Sequence, residues 1–274
     1  VSAWHQHPLI TPAVGPHAPE TSTPQMLRDS ARLATEFGVP LLIHIAETEV
    51  AAEETRTLFG MSSAETLREH GVLEPHVLAA HCGHITERER ELLAAHGVGI
   101  VHNPTSNLKL ASGVADLVGL LEDGLSVGIG TDGQASNNDQ DLFEEVRLAA
   151  LLPKGFHLDP TAVPAQQAFA LATIGGAKAL GMEDLIFESK SPWLCASCQT
   201  CTTRCPQGID IARVMDFIVG EAMAKGIKPK VPEVALFNKV FLRDVDILGR
   251  SYELGLIVEM NMRTKQPFKD VGLG

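Results

Sequence analysis

The sequence predicts an α/β chain in two parts: repeated β–α units of barrel type over residues 1–184, then a mostly helical segment over 185–274. Three observations carry this. Short apolar runs alternate with amphipathic stretches as far as about residue 182, the pattern of a parallel sheet layered with helices. Histidines and an aspartate recur at or just after the ends of those runs. Four of the five cysteines fall between Cys195 and Cys205, where the pattern changes.

Taken in order, Thr11–Val14 reads as a first strand, and Pro24–Phe37 as a helix closed by Gly38. Leu41–Ile45 is an apolar run of the kind buried in parallel sheets. A helix starts near Glu49, and another spans Ser62–His70, with Ser62 and Glu65 spaced as a capping box. Val77–Ala80 is the next strand. Thr86 and Glu89 repeat the capping-box spacing before a helix that stops at Gly97. Strand Val98–Val101, helix Val114–Glu122 and strand Ser126–Ile129 follow, then helices over Asp139–Leu152 and Pro164–Leu180.

Such units make either a doubly wound sheet or a β/α barrel. The polar residues favour the barrel. His17 follows the first strand, His44 lies in the second, His81 ends the third and Asp132 follows the fifth. In a barrel all four would gather on the catalytic face, and they are ligand types for a divalent metal such as zinc. Cys82, next to His81, reads as a small buried residue. His5-Gln6-His7 is no ligand pair on this reading, since no apolar strand precedes it and Pro8 follows.

Composition narrows the function. A formal net charge of -12 argues against nucleic acid as the main partner. No apolar run is long enough to span a bilayer, no signal-peptide pattern opens the chain, and Cys82 alone lies outside the cysteine run. A reducing cytoplasm is the expected setting. The chain opens on Val1 rather than Met, so a fragment of a longer protein is expected.

The cysteines stand as C-x2-C-x2-C-x3-C-P at Cys195, Cys198, Cys201, Cys205 and Pro206. That spacing suits one iron–sulfur cluster, whereas cysteines three apart would close strained disulfide rings. Zinc fits less well, because its paired C-x2-C knuckles usually lie far apart in sequence.

Five stretches resemble the amidohydrolase superfamily: Gly15-Pro16-His17-Ala18-Pro19, His44-Ile45-Ala46-Glu47-Thr48, Ala79-Ala80-His81-Cys82, His102-Asn103-Pro104-Thr105-Ser106-Asn107, and Gly130-Thr131-Asp132-Gly133 with Ser136-Asn137-Asn138. Within it they are most similar to hydrolytic deaminases of S-adenosylhomocysteine and methylthioadenosine, with triazine chlorohydrolases as relatives. The resemblance implies a partial (β/α) barrel over 1–184, with strands like the fourth to eighth. It also implies a purine-thioether substrate and a divalent metal, zinc or iron. His44 and Asp132 would be metal ligands, and Asp132 would also take a proton from the attacking water. Glu47 would shuttle that proton to the substrate ring, His81 would orient water or polarise the substrate, and His17 would contact the substrate. The family's first-strand His-x-His pair has no counterpart, so the metal is expected to be held weakly and catalysis to be impaired. Glu20 stands where such deaminases carry an aromatic residue.

From about Leu185 the chain is similar to the small [4Fe–4S] electron-transfer component of heterodisulfide reductase, with a ferredoxin-like cluster segment. The cysteine run carries this resemblance, with Phe237-Asn238-Lys239, Gly249-Arg250-Ser251-Tyr252 and Met260-Asn261-Met262-Arg263. It implies heterodisulfide reductase-like redox proteins as partners. That family has two cysteine motifs and this chain has one. Cys205 therefore either closes the cluster locally or leaves the fourth ligand to come from elsewhere. Ile209, Val214, Phe217 and Ile218 have the spacing of a helix core face. No Gly/Ser-rich linker joins the two parts. The expectation is a chimera or truncated fusion; the alternative is an electron carrier whose first part is only scaffold.

Overall fold

A computed structural model describes residues 1–7, 10–182, 186–187, 189–204 and 210–266. The chain divides into two compact units, Val1–Glu183 and Asp184–Gly274.

The first unit is built on a four-stranded, wholly parallel sheet in the order β1 (Leu41–Ile45), β2 (Val77–His81), β3 (Gly99–His102), β4 (Ser126–Ile129). Helices between the strands make the crossovers: α2 (Glu49–Phe59) and α3 (Ser63–Glu69), α4 (Glu87–Ala95), then α5 (Pro104–Lys109) and α6 (Leu117–Glu122). Helix α1 (Pro24–Phe37) precedes the sheet. Helices α7 (Gln134–Asn137), α8 (Leu142–His157), α9 (Ala165–Ala170) and α10 (Gly176–Ala179) follow it. Leu41, Ile43, Ile45, Val77, Ala79, Ile100 and Val127 alternate along the strands and are all buried. Leu27 and Ala34 of α1, Leu67 of α3, Leu93 of α4 and Leu120 of α6 complete that core.

Local chemistry starts and stops the helices as the sequence predicts. Both capping boxes form, Ser62 with Glu65 and Thr86 with Glu89. Thr23 caps α1 by accepting from the Met26 N–H, and Gly38 ends it in the left-handed conformation. Two expectations need correction. Thr11–Val14 is not a strand: Val14 alone makes a parallel bridge to Leu41. Pro12 within the stretch and Pro16 just beyond it have no N–H to give a ladder, so pairing does not extend along the chain. The predicted helix over Pro164–Leu180 is interrupted by a π-helical turn at Leu171–Gly175. This turn lies against β4, where a Cβ added to Gly175 would stand 2.6 Å from the Val127 carbonyl oxygen.

The second unit is helical, with segments at Lys190–Trp193, Thr200–Arg204, Ile211–Ala224, Pro232–Leu248 and Glu253–Arg263. Asp210 caps the Ile211–Ala224 helix through the Arg213 N–H and accepts from Thr202, which ties the cysteine loop to that helix. The buried face is Ala212, Ile218 and Ala222, so Ile218 alone of the described residues that the spacing selects is fully buried. Phe217 is 56% exposed and Val214 only half-buried, while Ile209 lies outside the described residues. Small side chains let the helix approach closely on a face that Phe217 would hold apart. Among the described residues no helix is long and apolar enough to cross a membrane.

Candidate metal centre and catalytic face

The carboxyl ends of β1, β2 and β4 turn sharply. Ala46, His81, Cys82 and Asp132 all adopt positive φ, a left-handed backbone that non-glycine residues rarely hold without structural support. These turns bring His44, His81 and Asp132 together, with one ligand atom of each within 4.8 Å of the others.

Hydrogen bonds orient each group. His44 Nδ1 lies 2.7 Å from the His17 carbonyl oxygen, which can only accept, so Nδ1 carries the proton and Nε2 keeps its lone pair. His81, 1% exposed, places Nδ1 2.7 Å from Asn107 Oδ1. Its Nε2 is 3.8 Å from Glu47 Oε2. Glu47 Oε1 accepts from Ser112 Oγ at 3.1 Å. Asp132 Oδ2 accepts from Ser106 Oγ at 2.6 Å and Ser136 Oγ at 2.8 Å. Burial pushes the Asp132 carboxyl up, but these two hydroxyls, the Gly133 N–H and the His81 charge outweigh it and lower its pKa. The His17 and His44 rings lie 5.0 Å apart, and His17 Nδ1 meets Thr21 Oγ1 at 2.8 Å. Two imidazoles and a carboxylate are a donor set that fits zinc or iron(II).

The remaining residues named from sequence fall elsewhere. Exposed His5 and His7 stack edge-on against Phe37 and Trp4 respectively, away from the donor set. Cys82 is 2% exposed; burial, with the Glu89 carboxylate second, pushes its thiol far up and makes it inert. Glu20 accepts from Thr55 Oγ1 at 3.3 Å and lines a shallow pocket with Val50 and Leu58. Ser106, Asn107, Ser112 and Ser136 were not singled out by sequence, although Ser106, Asn107 and Ser136 sit inside the stretches that carry the resemblance.

Residues 3–186 match the amidohydrolase family model. The chain belongs to the amidohydrolase family. The chain is 47% identical over 188 residues to a 5-methylthioadenosine/S-adenosylhomocysteine deaminase of Syntrophobacter fumaroxidans, covering 69% of this chain and 43% of the relative. It is 45% identical over 174 residues to a 5'-deoxyadenosine deaminase of Methanothermobacter thermautotrophicus, covering 64% and 41%. Among solved amidohydrolases, an adenosine deaminase of Xanthomonas campestris with bound zinc superposes with a TM-score of 0.64 at 38% identity, covering 67% of this chain and 42% of that one. The chain thus spans under half the length of these relatives.

In the second unit Cys195 is half-buried, while Cys198 and Cys201 are exposed. The Cys198 thiol pKa is lowered, first by the Thr200 hydroxyl and then by the Thr200 N–H. Cys205 lies outside the described residues.

Proposed function

We propose that residues 1–184 form a hydrolytic deaminase segment for adenosine-type thioethers, and that residues 185–274 form an iron–sulfur electron-transfer segment. The convergence of His44, His81 and Asp132 supports the first part. His44 and Asp132 would hold a zinc or iron ion, with His81 in reach as a third donor. Such an ion, when bound, supplies Lewis-acid polarisation and brings the pKa of water toward about 7. Asp132 accepts a proton from the attacking water, and Glu47, held by Ser112, passes it to the purine ring. His81 orients the water, and His17 contacts the nucleoside. The activities of the relatives support this substrate class.

With only these three donors among the described residues, the chain by itself is expected to release ammonia from S-adenosylhomocysteine or methylthioadenosine negligibly. Robust release that disappears in Asp132→Asn would show a working site and overturn the impaired state.

The second part rests on the cysteine spacing. Cys195, Cys198, Cys201 and Cys205 would bind one [4Fe–4S] cluster, and redox proteins of heterodisulfide reductase type would exchange electrons with it. Anaerobic reconstitution should load iron and sulfide, and Cys205→Ser should abolish the cluster if Cys205 closes it locally. Uptake of zinc alone would sink the cluster; an unchanged cluster in Cys205→Ser would place the fourth ligand elsewhere.

A further inference from the structure

One short turn touches two members of the donor set. Helix α5 follows β3, between β2 and β4 in the sheet, and its consecutive residues Ser106 and Asn107 reach opposite neighbours. Ser106 Oγ bonds Asp132 beyond β4, and Asn107 Oδ1 meets His81 Nδ1 at the end of β2. Ser106 and Asn107 are 0% and 1% exposed, and His81 is 1% exposed, so water does not compete for the Asn107–His81 bond.

The turn is itself anchored. Glu145 of α8, 0% exposed, accepts from the Thr105 N–H at 3.0 Å and from Asn137 Nδ2 at 2.5 Å. It therefore holds α5 together with α7, and Ser136 of α7 is the second donor to Asp132. Asn107 Nδ2 is buried with no hydrogen-bond partner among the described residues. Leaving it so is a cost of aiming Oδ1 at the imidazole.

We propose that Asn107 is a positioning residue that selects the Nδ1–H tautomer of His81, so that the Nε2 lone pair faces Glu47 and the donor set, while Ser106 fixes the Asp132 carboxylate from the same turn. A free neutral imidazole has no neighbour to prefer Nδ1–H; here the amide oxygen supplies one. The inference rests on the reading of His81 and Asp132 as the reacting face, but it concerns a proton position that can be seen without turnover.

The test is two-bond ¹⁵N–¹H correlation of the histidine rings in the full-length chain, at a pH where His81 is neutral. Wild type should show His81 as the Nδ1–H tautomer. Asn107→Ala should move it toward Nε2–H, and Asn107→Asp, which still offers an acceptor, should keep it; His44 serves as the unchanged internal control. Zinc titration should show roughly 10–100-fold weaker binding in Asn107→Ala. An Nε2–H tautomer in wild type overturns the proposal without recourse to any variant. Persistence of Nδ1–H in a folded Asn107→Ala also overturns it. Tautomer changes as expected, in a protein that takes up no zinc, would count against the metal-site reading alone.

Discussion

His102 shows how a single side chain links the site to stability. It ends β3, is 1% exposed, and neither ring nitrogen has a partner among the described residues. Burial, and then the charge of His81, pushes its pKa down to about 4 from an ordinary 6.5. The sign follows from proton binding. Between pH 6.5 and 4 the unfolded chain takes up a proton that the folded chain refuses. The contribution is whole above pH 6.5, falls as the pH drops, and is gone below 4; its size is about 3 kcal/mol. Urea unfolding across that window should show falling stability, with a shallower fall in His102→Gln. An identical slope in the variant would mean that other groups carry the acid sensitivity.

At the scale of elements, the last helices pack on the sheet through glycine. A Cβ on Gly99 would stand 2.0 Å from the Ala179 carbonyl oxygen, and one on Gly128 2.8 Å from Gly176 Cα. Both obstacles are backbone, so α10 would have to move. Gly99→Ala should therefore destabilise by about 1–3 kcal/mol. Gly155, inside α8, is a contrast: nothing lies within 4 Å of its added Cβ, and Gly155→Ala should stabilise by about 0.5–1 kcal/mol. Thermal unfolding of the two variants should move in opposite directions, and a shift of the same sign would refute the close-packing account. Elements also differ in how far they could be read beforehand. Helix starts and stops were legible because caps are local chemistry; the Thr11–Val14 strand failed because pairing is not. The alternation that marks a strand does not specify whether a neighbouring backbone offers it a full ladder.

At the scale of the whole molecule, the two units differ in what organises them. The first is a parallel sheet whose strand ends converge on a donor set, and metal binding should feed directly into its stability. Zinc at a hundred times its dissociation constant should stabilise this unit by about 2.7 kcal/mol. The increment should vanish in His44→Ala combined with Asp132→Ala; if it survives, the metal sits elsewhere. The second unit is a set of helices; Cys195 and Cys198 lie on the loop before the Thr200–Arg204 helix, which carries Cys201 and is tied by Thr202 to the Asp210 cap.

The sequence by itself determined the β–α alternation, the helix caps and the family motifs, and it picked out His44, Glu47, His81 and Asp132 as candidates. These depend on residue type and on spacing within a few positions, which any chain displays before it folds. Only the tertiary structure decided that Ser106, Asn107 and Ser112 grip those groups, because each of these bonds joins residues from different loops or turns brought together by the parallel sheet; the Ser136 bond to Asp132 spans four residues within one. It also decided that Ala212 and Ala222, not Phe217, face the helical core. Burial is a property of what packs opposite, and no residue carries that information alone.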